Sequence, residues 1–290
     1  MTSTMREVLA DRDAPLGYSL GAYEGAVQAQ VARLDGLGAA RRVWDRDGSL
    51  WSANAKAIAE IEDRLGWLDL PETMPAEFAR LRAFAAEARG AFDRVVLLGM
   101  GGSSLAPEVM RLILGIAPNC PELVVLDATD PAQIRRAAKG VALSRMLFLV
   151  SSKSGTTIEP LSLYLYFKDA LKREVGASWA RQMVAITDPN TRLSKMARGE
   201  GWRETFLNPP DIGGRYSALS LFGLVPAALL GHDLDRLLQR AREVAASCRA
   251  AQPAERNAGL VLGAIMGALA VHPTARSEEH TSELQSHSFI

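Results

Sequence analysis

From residue 94 onward, short apolar runs alternate with amphipathic stretches, and this alternation constrains the fold more than any other feature of the chain. The runs are RVVLLG, ELVVLD, RMLFLVSS and QMVAIT, each nearly continuous in Val, Leu, Ile or Met. Strands read this way when both faces of their sheet are covered. Between them lie APEVMRLILG, PAQIRRAAKG and TTIEPLSLYLYFKDALKREVG, and DPNTRLSKMARGEG follows the fourth run. The pattern predicts a βαβα order and a doubly wound parallel sheet. Ligands of such sheets bind outside the carboxyl ends of the strands. The loops after Leu98, Asp127, Ser151 and Thr187 are therefore the places where chemistry is expected.

The flanks of this α/β segment, 91–212, read as helical. Residues 1–90 form a helical N-terminal region. GAYEGAVQAQVARLDGL places Ala26, Val27, Val31 and Leu34 at helical spacing. DGSLWSANAKAIAEIEDRLGWL offers Ser49 or Ser52 as an N-cap and Gly66 as a stop, and PAEFARLRAFAAEARGAF makes a third helix. Residues 213–275 continue through FGLVPAALLG, DLDRLLQRAREVAASCRA and AERNAGLVLGAIMGALAV. They read as the helical start of a second, incomplete subdomain, with an apolar face left exposed. Residues 276–290, RSEEHTSELQSHSFI, have no periodicity and resemble translated sequencing-adapter sequence. They are treated as a non-native tail, so His280 and His287 carry no weight as ligands or bases.

Composition narrows the function classes. Thirty-three basic residues balance thirty-three acidic ones, which gives no support to a nucleic-acid or polybasic membrane role. No apolar run reaches the ~18 residues of a membrane span, and the N-terminus has no signal-peptide core. Cys120 and Cys248 form no CxxC pair and fit a reducing compartment. A cytoplasmic protein without metal or cofactor is expected.

Three loops could carry chemistry. In VVLLGMGGSSLAPEV, Gly99, Gly101 and Gly102 allow a sharp turn and close approach to a ligand. Ser103 and Ser104 add hydroxyls where a helix presents free N–H groups. A dinucleotide fingerprint is the rival reading, because Asp127 ends the next strand, but Ser104 stands where its last glycine belongs. The second loop, SSKSGTT, supplies Ser151, Ser152, Ser154, Thr156 and Thr157 ahead of another helix. A phosphate monoester has three oxygens and about −1.5 to −2 charge near neutrality. Hydroxyls and helix amides satisfy it without a metal. Lys153 precedes Gly155, so this is no Walker loop. A Ser/Thr-rich N-cap with no ligand is the plain alternative. In the third loop, GGRYS, two glycines precede Arg215, whose planar cation suits a phosphate, a carboxylate or an enediolate. Without context Arg215 reads equally well as a surface arginine. Candidate bases are scarce. His232 and His272 fall at helix ends, and Glu159 reads as a first-turn residue favoured by the helix dipole.

Together, GMGGSSLAP, SSKSGTT and GGRYS resemble the signature loops of glucose-6-phosphate isomerase. LLGMGGSSLAPEV, SSKSGTTIEP and DIGGRYSALS resemble in particular the isomerase half of bacterial bifunctional transaldolase/glucose-6-phosphate isomerases. The resemblance runs from about residue 17 to 275. It implies a sugar-isomerase (SIS-type) fold, interconversion of glucose 6-phosphate and fructose 6-phosphate through a cis-enediol, and a homodimeric full-length parent. By motif position, Ser152, Ser154 and Thr157 would hold the phosphate, with Lys153 in the same loop. Gly102 and Ser103 would contact the sugar and its phosphate side, and Arg215 would stabilise the enediolate. Ser104 and Ser154 stand where many members have Asp and Thr. The family's basic glutamate lies in an ESxGK-like segment after GGRYS, and a ring-opening histidine and a late lysine follow it. None of these segments occurs here. The resemblance thus implies an N-terminal fragment that holds the phosphate half of the site and is inactive alone. A non-catalytic sugar-phosphate sensor and a nicotinamide-dependent oxidoreductase are the alternatives.

Overall fold

The computed structural model describes residues 18–270, so His272 and the tail 276–290 lie outside the described residues. The strands are β1 (Arg94–Gly99), β2 (Glu122–Leu126), β3 (Met146–Ser151), β4 (Met183–Thr187) and β5 (Glu204–Leu207). Before them come helices α1 (Glu24–Gly36), α2 (Ala39–Trp44), α3 (Ala55–Glu62), α4 (Leu70–Thr73) and α5 (Phe78–Ala91). Interleaved with the strands are α6 (Leu105–Leu114), α7 (Pro131–Ala138), α8 (Ile158–Val175) and α9 (Arg192–Gly199). After them follow α10 (Leu221–Leu229), α11 (Leu234–Ser247) and α12 (Ala258–Ala270). Two compact units result: residues 60–240, and a second unit made from residues before 60 and after 240.

The larger unit holds the sheet, whose strands are all parallel in the order β2-β1-β3-β4-β5. Burial follows position. Every residue of β3 and β4 is buried, whereas β2, at the edge, leaves Val124 and Val125 half-buried. Alternate side chains serve opposite faces. Val96, Leu98, Phe148 and Val150 pack with Leu163, Tyr164, Phe167 and Leu171 of α8. Across the sheet, Phe84 of α5 meets Phe206 of β5 edge-on at 5.1 Å, and α10 packs on α5 and α6. The edge strand β5 went unread in the sequence because ETFL is short and half polar.

Along the stretch expected to leave an apolar face exposed, Val244 of α11 and Leu262 and Met266 of α12 are exposed, whereas all nine residues of α10 are buried. That helix serves as the second cover of the sheet. A further group of large exposed apolar side chains lies on α6, at Leu105, Val109, Leu112, Ile113 and Leu114. The packing boundary at residue 60 also differs from the change of secondary-structure type near 90. The antiparallel bridge Leu65–Ile212 and α5 bind this early stretch into the sheet unit.

In the smaller unit, Val27 and Val31 of α1 pack with Val261, Ala264 and Ala268 of α12. Trp44 donates its indole N–H to the Cys248 carbonyl at 2.8 Å, beneath the Arg249 guanidinium. The cap of α3 is Asn54, whose side chain accepts from the Lys56 and Ala57 amides, in place of Ser49 or Ser52. Asn54 sits directly ahead of the first helical residue, which neither serine does. Both cysteines are free and half-buried. No helix among the described residues is long and apolar enough to cross a membrane.

Candidate functional site

The strand order reverses between β1 and β3, which lie side by side with Gly99 opposite Ser151. A parallel sheet opens a crevice at such a switch point. The loops that leave β1 and β3 are the glycine-serine and the serine-threonine loops, so the two hydroxyl-rich junctions meet at one place. They are also bonded to each other: the Ser151 hydroxyl donates to the Ser103 carbonyl at 3.2 Å.

The β1 loop turns through Gly101, whose φ of +53° lies in the left-handed region that glycine tolerates. Residues Gly101–Ser103 make a single tight turn, and Ser104 is buried with its hydroxyl on the Gly101 carbonyl at 3.2 Å. Gly102 is pressed against the third loop. A Cβ there would lie 2.1 Å from the Gly214 carbonyl oxygen. The Ser217 hydroxyl sits between the two, 2.9 Å from the Gly102 carbonyl and 2.6 Å from that of Gly214. GGRYS is thereby joined to the β1 loop, with Arg215 on the short turn Gly214–Leu219. Arg215 is exposed and makes no hydrogen bond or ion pair among the described residues.

The β3 loop is ordered by its own hydroxyls. Ser152 and Thr157 hydroxyls lie 3.1 Å apart, those of Ser154 and Thr156 2.9 Å apart, and the Gly155 amide donates to Ser152 Oγ at 3.2 Å. Ser152 is buried and Ser154 exposed, so the group runs from the interior to the surface. Neither α6 nor α8 has a side-chain N-cap. Their first amides face the junctions, where the partial positive charge of a helix N-terminus favours an anion.

Lys153 points elsewhere. Its ammonium is paired with the Asp188 carboxylate, just past β4, and donates to the Pro210 carbonyl at 2.7 Å. Burial pushes the Asp188 carboxyl above its ordinary pKa, against the opposing pull of the Lys153 charge. Asp188 was not singled out in the sequence. The loop after Thr187 was, and only the β3–β4 pairing shows which residue it delivers to the site.

Of the remaining candidates, Asp127 is exposed at the end of edge strand β2, one strand away from the β1–β3 crevice. His232 follows α10 and its Nε2 lies 2.9 Å from the Gly115 carbonyl. Glu159 occupies the first turn of α8. Among the described residues no group of His, Cys, Asp and Glu is arranged to hold a metal ion.

The larger unit is thus a doubly wound α/β domain of the sugar-isomerase type with two hydroxyl-rich loops at its switch point. The phosphoglucose isomerase family model matches residues 76–276, and the chain belongs to that family. It is 35% identical over 206 residues to a glucose-6-phosphate isomerase of Carboxydothermus hydrogenoformans, covering 68% of this chain and 44% of that protein. A glucose-6-phosphate isomerase of Thermus thermophilus is 37% identical over 182 residues, with 62% of this chain and 42% of the relative covered. Among solved structures, a hypothetical protein from Thermus thermophilus superposes with a TM-score of 0.70 at 30% identity, covering 85% of this chain and 56% of that one. A glucose-6-phosphate isomerase from Chlamydia trachomatis gives 0.58 at 29% identity, with 79% and 41% covered. The chain spans less than half the length of the curated relatives it matches.

Proposed function

We propose that this chain supplies the phosphate-binding half of a glucose-6-phosphate isomerase site and does not turn over substrate by itself. One observation carries the reading. The two neighbouring strands at the switch point both end in hydroxyl-rich loops that lead into helices without side-chain caps. A phosphate ester of a sugar is the ligand that such a crevice suits.

In this reading Ser152, Ser154 and Thr157 receive the phosphate oxygens, with Lys153 in the same loop. Gly102 and Ser103 border the sugar at its phosphate end. Arg215, on the turn joined to Gly102 and without a side-chain partner of its own among the described residues, would meet negative charge on a cis-enediolate. Moving a proton between adjacent carbons requires a base, and ring opening requires an acid–base group. The ESxGK-like segment and the histidine that would supply them are absent from this sequence. The parent enzyme would be a cytoplasmic homodimer in which the remaining polypeptide completes the site.

Titration calorimetry with glucose 6-phosphate, run beside a coupled turnover assay, tests the proposal. Binding of the phosphate ester without turnover is the expected outcome. Robust turnover would show that a residue such as Glu159 or His232 is the base, and tight binding of NADH without sugar-phosphate binding would return the site to the oxidoreductase class.

A further inference from the structure

The β3 loop is bolted to the end of β4 along its length. The Ser152 amide donates to the Ile186 carbonyl at 3.0 Å. The Lys153 carbonyl accepts from the Asp188 amide and from the Thr187 hydroxyl, each at 3.3 Å. Gly155, at φ +66°, lies flat on the start of α9, where a Cβ would come within 2.9 Å of the Leu193 nitrogen. The Lys153 ammonium completes the series through Asp188 and Pro210.

We propose that Lys153 and Asp188 act as a positioning pair, in which the ammonium is held by the carboxylate so that the β3 loop meets its anion with hydroxyls and amides alone. This rests on the phosphate reading of the loop given above. The Asp188 side chain is only 13% exposed and that of Lys153 27%. Drawing the ammonium across to a ligand would strand a carboxylate that burial already disfavours, and breaking such a pair by removing one member is costly. Asp211 also faces Asp188, and this second carboxylate would aggravate that loss, while a hydrogen bond from Asn208 offsets a part of it. An ammonium already neutralised by its partner adds little attraction for a dianion, whereas a fixed loop offers donors that need no reorganisation.

Lys153→Met, Asp188→Asn, the double variant and Lys153→Arg distinguish a brace from a direct contact. Two measurements apply to each: amide hydrogen exchange over residues 152–157 in the unliganded protein, and calorimetric affinity for glucose 6-phosphate. A brace predicts faster exchange and roughly tenfold weaker binding in either single variant. The double variant should then be no worse than the worse single, because the two residues act as one unit. Lys153→Arg, which keeps the ion pair, should bind within about threefold of the parent chain. The proposal is overturned if Asp188→Asn binds as tightly as the parent while Lys153→Met does not, or if the two losses add. Should Asp188→Asn fail to fold, Lys153→Met still decides, since unchanged exchange in that variant rules the brace out. A parent chain that binds no sugar phosphate would refute the assigned ligand, and the exchange measurement would still test the brace.

Discussion

The helices that follow β1 to β4 begin in two different ways. Those that follow β2 and β4 are closed by the chain itself. Asp130 accepts from the Ala132 and Gln133 amides at 3.2 and 3.1 Å ahead of α7, and Thr191 accepts from the Ser194 amide at 3.1 Å at the start of α9. Those that follow β1 and β3 have no such cap, although serines and threonines crowd both loops. Their hydroxyls bond to one another, to neighbouring turns or, in the β3 loop, to the Gly155 and Thr156 amides ahead of the helix, and none reaches the first helical amides. An amide that a side chain has already satisfied is spent on stability. One that is left open, beside a second open junction on the adjacent strand, is available to a ligand.

The largest expected effect tests the open junctions directly. Ser152→Ala combined with Thr157→Val removes two donors to a charged phosphate. At about 1.5 kcal/mol or more each, this lowers glucose 6-phosphate affinity on the order of a hundredfold. Calorimetry showing equal affinity in the double variant would erase the distinction between the two kinds of junction. Next in size is Gly102→Ala, which drives a methyl into the Gly214 carbonyl 2.1 Å away. A loss of about 2 kcal/mol in chemical denaturation is expected, since neither backbone can yield without the other. If stability is unchanged, the β1 loop and GGRYS are not locked together.

Asp130→Ala probes a closed junction. It should cost about 1 kcal/mol of stability and leave sugar-phosphate affinity where it was. A change in affinity would mean that the capped junctions also serve the ligand. The smallest effect is expected at Glu200, which follows α9. Burial works against its ionisation, but hydrogen bonds from Lys168, Tyr164 and Trp202 outweigh that and hold its pKa below the ordinary 4.5. The stability it contributes is therefore complete above about pH 4.5 and is lost as the pH falls through the lower folded value. Glu200→Gln should flatten the acid limb of the stability curve by under about 1 kcal/mol, with no change in ligand affinity. An unchanged acid limb would remove Glu200 from the groups that favour the folded state at neutral pH.

Much of this architecture was legible before any coordinate. The four apolar runs are strands within a residue or two of their expected limits, because they are short, rich in Val, Leu and Ile, and spaced by helical stretches in a βαβ rhythm. What stayed hidden depended on context. ETFL forms β5 only because β4 offers it an edge to pair with. The apolar run FGLVPAALL is buried throughout, because α5 and α6 receive it. Asp188 gave no local sign, since its partner lies thirty-five residues earlier in the chain.

By itself the sequence determined the residue types, and with them the class of anion proposed for this site. Glycines that permit tight turns and short hydroxyls ahead of helices are local properties, written in neighbouring letters. Tertiary structure alone decided which loops share a site and which cation is free to act. Strand order is set by long-range pairing, and it brings the β1 and β3 junctions together while leaving the β2 loop outside. That same pairing commits Lys153 to Asp188 and leaves Arg215 uncommitted among the described residues, a distinction that charge in the sequence cannot make.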